Sequence, residues 1–123
     1  MDKEWTLSPL SATSLDNVES HSACQGVIRL SPDDFGTHVA IHQVNLTGEV
    51  RSAEPYCSVH AHDHESELNI FLPAPSMEYA VELAGAALTI SEPSVVSISP
   101  GVPHAANAVS GAGFFICIRI PSG

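Results

Sequence analysis

Basic residues are scarce in this chain. Lys and Arg number 4 against 14 Asp and Glu, which gives a formal net charge of −10 with histidine neutral. Such a surface repels phosphate backbones and anionic headgroups, so neither nucleic acid nor a membrane is an expected partner. Long hydrophobic runs are missing as well: nothing approaches the roughly 18–20 apolar residues that cross a bilayer. The opening Met-Asp-Lys-Glu-Trp lacks the basic-then-apolar order of a secretory signal, and a cytoplasmic protein is expected. The cysteines are Cys24, Cys57 and Cys117, an odd number with no CxxC pair, which excludes a disulfide framework and a zinc knuckle. They read as small apolar residues. The glycine loops GxGxxG and GxxxxGKS are absent, and so is the GxSxG elbow, so nucleotide binding and covalent serine catalysis have no support.

What is present is a globular composition, 44% apolar and 15% charged, in 123 residues, enough for one domain. No stretch sustains helical spacing. The first segment, residues 1–36, reads as a polar arm with a possible strand from Cys24 to Leu30. Residues 37–123 read as the folded barrel domain. From Thr37 the pattern has period two: His38, Ala40, His42, Val44 and Leu46 share one face, Val39, Ile41 and Gln43 the other. Tyr56–His62 and Leu68–Leu72 are the next candidate strands, and Pro73-Ala-Pro75 predicts a break. Glu78–Leu83 alternates again, Ala84-Gly85 is a turn signal, and Ala87–Ile90 returns as a hairpin. Val95–Ile98 follows Pro93. After the turn at Pro100-Gly101-Val102-Pro103, the last strand, Phe114–Ile120, puts Phe115, Cys117 and Arg119 on one face. Short strands at roughly 8–12-residue intervals with Gly and Pro between them specify an all-β sandwich or barrel.

Seven histidines occur, and three crowd into His60-Ala-His62-Asp-His64-Glu-Ser-Glu67. On a strand, residues two apart share a face, so His60 and His62 can aim two imidazoles at one point. Neutral imidazole is the commonest metal ligand near neutral pH, and a nearby carboxylate offsets part of a cation's charge. A mixed nitrogen and oxygen set suits Fe, Mn, Co, Ni, Cu or Zn better than Ca or Mg. The competing reading is a solvated loop rich in His and acid. The apolar strands on either side, and His104 in a distant tight turn, favour a metal. Glu65 is an alternative to Glu67, and His64 either joins the ligands or lies exposed in the turn. His42 is either a core histidine or a pocket residue. If Glu67 points inward, alternation sends Asn69 and Phe71 inward too, into a substrate pocket. Arg119 either points inward, where its fork can take a carboxylate, or sits on the outer sheet surface.

These residues resemble the cupin superfamily. Its first motif is G-x5-H-x-H-x(3,4)-E-x6-G, and His60, His62 and Glu67 fit the H-x-H-x4-E core. Its second is G-x5-P-x-G-x2-H-x3-N, and Gly101-Val102-Pro103-His104 fits its centre. Glu54, Ala74, Pro93 and Ser99 stand where the family has Gly, Gly, Gly and Pro, and Asn107 falls one place early. The resemblance covers about two-thirds of the chain, from Thr37 to Ile120. It implies a single-domain jelly-roll β-barrel and one divalent transition metal, Fe, Mn, Ni, Cu or Zn, on His60, His62, Glu67 and His104, with open coordination positions for water or substrate. It further implies a metal-dependent enzyme on a small-molecule substrate, with Fe(II) dioxygenase chemistry as the leading expectation. A redox-neutral isomerase or cyclase, like the polyketide cyclases, would use His42 or His64 as the catalytic base. A non-catalytic ligand-binding cupin is the other alternative. Small cupins are usually dimers, so a homodimer is expected.

Overall fold

The computed structural model describes residues 4–33, 35–48 and 55–122. Seven strands account for most of them: β1 (Leu10–Thr13), β2 (Val27–Pro32), β3 (His38–Leu46), β4 (Glu65–Leu83), β5 (Ala86–Ile90), β6 (Ser94–Ile98) and β7 (His104–Pro121). All pairings are antiparallel, in the order β1-β2-β3-β7-β4-β5, with β6 on the free edge of the first half of β4. The only helical turn described is Leu15–Asn17, capped by the Ser14 side chain. Among the described residues no helix is long and apolar enough to cross a membrane.

Alternation explains which face is covered. On β3 the side chains of Ala40, His42, Val44 and Leu46 are buried, while Gln43 and Asn45 are exposed. The same inner face takes Phe71, Tyr79 and Val81 from β4 and Phe115 from β7. Phe71, Tyr79 and Phe115 meet pairwise with ring centroids 5.2 Å apart and fill one end of the interior. The hairpin after Leu83 turns in two residues, Ala84 and Gly85, both at positive φ (50° and 84°), as a twist-matched tight turn requires.

Three expectations need correction. The run Tyr56–His62 is not a strand: it makes only isolated bridges, Cys57 with His21 and His60 with His104. At its start the main chain is held by a side chain instead of a ladder. Asn107 Oδ1 accepts from the Tyr56 and Cys57 amides, both at 2.8 Å, and Nδ2 donates to the Cys57 carbonyl at 2.9 Å. Pro73-Ala-Pro75 does not end a strand. β4 runs on through it, and only the ladder to β7 slips, between Pro73 and Met77. Opposite the slip stands Gly111, at φ 89°, where any Cβ would collide with the Ser76 carbonyl. The prolines therefore shape an irregularity inside one long strand, a place where a lost ladder hydrogen bond is tolerated. Finally, the strand expected at Cys24–Leu30 lies at Val27–Pro32, and it pairs with β3 in the main sheet, as β1 does with β2.

Candidate metal centre

His104 opens β7 and faces His60 across a reciprocal main-chain pair: the His60 amide donates to the His104 carbonyl at 3.0 Å, and the His104 amide returns the bond at 2.8 Å. Each ring is then oriented by a backbone carbonyl two residues earlier. His60 Nδ1 donates to Ser58 at 2.7 Å and His104 Nδ1 to Val102 at 2.8 Å. With the proton fixed on Nδ1, each ring presents Nε2 as a lone pair. His62 completes the group, and one nitrogen from each of His60, His62 and His104 lies within 4.8 Å of the others.

Glu67 lies beside them on β4, with Oε1 3.3 Å from His62 Nε2 and Oε2 3.4 Å from His104 Nε2. Asn69 Nδ2 donates to Oε2 at 2.7 Å. Burial by itself raises the Glu67 pKa. The two neighbouring imidazoles, His104 foremost, and the hydrogen bond from Asn69 outweigh it and hold the carboxyl at about 2. His104 Nε2 is buried and makes no hydrogen bond. An orphaned imidazole nitrogen against an ionised carboxylate is a place that calls for a cation. Metal–nitrogen bonds of about 2.0–2.1 Å need only a small convergence of these donors. The four residues therefore fit a divalent transition metal by donor type and position.

The centre opens into a cavity of about 150 Å³. His42, Asn69 and Arg119, all considered from the sequence, line it. Burial pushes His42 down to about 3, so its ring is neutral and a weak base. Arg119 points inward, not to the outer surface. Its Nη2 lies 2.8 and 3.0 Å from the two ring nitrogens of His38, and its Nη1 lies 3.3 Å from His62 Nδ1 and 3.4 Å from Glu65 Oε1. An arginine only donates, so His38 accepts from it as a neutral ring. Burial and then the Arg119 charge drive His38 down to about 4.

Two residues expected near the chemistry are elsewhere. His64 is exposed in the turn before β4, where its carbonyl accepts from the Ser122 amide and hydroxyl, both at 2.9 Å; its side chain does not line the cavity. Phe71 is inward as expected, but it is 1% exposed within the aromatic cluster and not in the cavity wall, because the sheet closes on its rings before the cavity begins. Glu65 pairs with Arg119 and does not join the histidines.

Sequence reasoning missed His21, His38 and Arg29, which line the cavity. For His38 the signal was present, since it shares its face with His42. Arg29 stands opposite His42 in the β2–β3 register, which the sequence does not reveal without the pairing. His21 sits in a loop, its Nδ1 2.8 Å from the Glu19 carbonyl and its ring 5.9 Å from that of His42.

The fold and this centre define a class: antiparallel β-barrels that gather a His-x-His pair, a carboxylate and a distant histidine on the inner wall. No family model matches the sequence, and no curated protein does. Solved structures do match. An RmlC-like cupin from Shewanella frigidimarina is 17% identical with a TM-score of 0.59, over 98% of this chain and 93% of that one. A predicted oxalate decarboxylase from Thermotoga maritima is 15% identical with a TM-score of 0.64, over 93% of each chain. The nucleoside dehydratase Pac13 of Streptomyces is 9% identical with a TM-score of 0.59, over 100% of this chain and 85% of its own. The fold of this chain is the cupin fold.

Proposed function

We propose that this protein is a metal-dependent enzyme acting on a small organic substrate, with the metal on His60, His62, Glu67 and His104. The observation that carries the reading is the buried His104 Nε2, which makes no hydrogen bond and is set among two other imidazoles and an ionised carboxylate. Bound there, an iron(II) ion would supply redox chemistry with dioxygen, and a zinc, manganese or nickel ion would supply Lewis acidity. The chain's own residues do the rest. Glu67 balances charge and is oriented by Asn69. Phe115 and Ala106 close one wall against water. A cavity of about 150 Å³ is below the usual size of about 300–1,000 Å³ for drug-sized ligands, so the substrate is small. A homodimer is proposed on the cupin resemblance, and a one-chain mass by light scattering contradicts it.

Fe(II) dioxygenase chemistry is the first reading, since three imidazoles and one carboxylate leave positions for both dioxygen and substrate. A redox-neutral isomerase or lyase is the second, and a specific feature favours it. His21 lines the cavity with its pKa lowered chiefly by burial, and with Nδ1 donating to the Glu19 carbonyl its Nε2 is a neutral acceptor for a substrate proton near pH 7. Two of the structural relatives also carry the names of a decarboxylase and a dehydratase. The test is turnover of a panel of small acids by iron-loaded and zinc-loaded protein, with and without air. Oxygen uptake that needs iron and substrate together supports the first reading. Anaerobic product with either metal supports the second. No product under any condition contradicts an enzyme.

A further inference from the structure

Arg29 and Arg119 make up half of the 4 Lys and Arg in this acidic chain, and both line the cavity beside the metal centre. The other two, Lys3 and Arg51, lie outside the described residues. We propose that these two guanidiniums bind the carboxylate of a small organic acid whose other end reaches the centre. The inference rests on the reading of that centre as a substrate-bearing metal site, and it names the substrate class.

The two arginines come from separate strands on either side of β3. Arg29 pairs with His42 in the register, and Arg119 pairs with both His38 and Glu67, so both side chains belong to the inner face. Arg29 has one hydrogen-bond partner, Ser31 Oγ at 3.3 Å, and no ion pair among the described residues. Arg119 has Glu65 at 3.4 Å, and its other contacts are imidazole nitrogens. The acids that also face the cavity do not answer Arg29. Glu67 is engaged by Asn69, His62 and His104, and Glu19 is exposed at the mouth.

Two half-buried guanidiniums that repel each other are unfavourable to gather inside a protein with a surplus of acid. The arrangement becomes favourable when an anion enters. A carboxylate matches the planar fork and can take two N–H bonds from either arginine. Among the described residues Arg29 carries the one unmatched positive charge at the cavity, and a single positive charge calls for a single negative one, which favours a carboxylate over a phosphate dianion. Arg119 reaches within 3.3 Å of His62, so an acid seated on it lies one side chain from the centre.

The test is calorimetric titration of zinc-loaded protein with acetate, malonate and succinate, beside neutral malonamide and inorganic phosphate. The proposal expects at least one acid to bind, with malonamide silent. Arg29→Gln should weaken that acid by at least about tenfold while leaving zinc stoichiometry unchanged and the melting temperature no lower than the parent's. Arg29→Lys keeps the charge without the fork, so it should fall between the two and serves if the glutamine variant fails to fold. Equal binding by parent and both Arg29 variants would mean that the acid sits on the metal alone, and it overturns the proposal. So does silence from all three acids, or phosphate binding more tightly than each of them. If the parent takes up no zinc yet an acid still binds in an Arg29-dependent way, the anion site stands and the metalloenzyme reading falls.

Discussion

His60 and His104 are held together twice, by reciprocal main-chain hydrogen bonds of 3.0 and 2.8 Å and by rings whose centroids lie 4.6 Å apart. The chain between Tyr56 and His62 forms no strand, so this bridge and the Asn107 side chain are what fix the first histidine against the second. Both anchors lie in β7, which makes the position of His60 depend on a strand more than forty residues later in the sequence.

Asn107 supplies three hydrogen bonds to the Tyr56–Cys57 main chain. Asn107→Ala strips them and leaves two amides and a carbonyl unpaired. The expected loss is about 2–4 kcal/mol in urea unfolding, with weaker metal binding because His60 loses its support. Unfolding free energy within error of the parent would contradict the role assigned to Asn107.

Gly111 stands at φ 89° with the Ser76 backbone where a Cβ would go. Gly111→Ala should cost at least about 2 kcal/mol, from strain at positive φ plus the collision. Gly85→Ala is the control, at φ 84° in open space, and it should cost less. Equal costs at the two positions, measured by thermal melting, would show that the β4 irregularity imposes no close approach.

Acid should weaken the metal-free fold. His42 and His38 are held neutral in the folded state, at about 3 and about 4, while the unfolded chain protonates them near 6.5. Their folded values are depressed, so between about pH 6.5 and pH 3 the unfolded chain binds more protons and stability falls as the pH falls. His104, whose value is raised by the Glu67 carboxylate against the effect of its burial, contributes with the opposite sign above pH 6.5. The urea midpoint of apoprotein should therefore drop from pH 6.5 to pH 4.5. The slope should be shallower in His42→Phe, and an unchanged slope would contradict the neutral buried His42.

Much of the inner wall was legible in the sequence because one physical signal, period two, wrote it. His38, Ala40, His42, Val44 and Leu46 fall on a single face of β3, and that face is the inner one. Asn69 follows from the same rule on β4 once Glu67 is set inward, whereas alternation placed Arg119 with Phe115 and Cys117 on β7 without saying which face is the inner one. What stayed hidden depends on long-range facts. The Tyr56–His62 run has a strand-like composition, but its hydrogen bonds go to the Asn107 side chain, to the Ser20–Ser22 loop and to single main-chain groups of Gly101 and His104, all distant in sequence. Pro73 and Pro75 looked like an end because their tolerance depends on Gly111 across the ladder. Phe71 obeys alternation and still misses the cavity, since Tyr79 and Phe115 close over it. Arg29 acquires meaning only when β2 is set against β3.

The account depends most on the cation that His104 Nε2 and Glu67 call for. Its most direct test is elemental analysis of purified protein beside His60→Ala and His104→Ala variants, each checked for an intact fold by circular dichroism. About one equivalent of a divalent transition metal per chain in the parent, lost in both variants with the barrel retained, is the predicted result. A folded parent that holds no such metal after exposure to iron, manganese, nickel, copper and zinc in turn would contradict it.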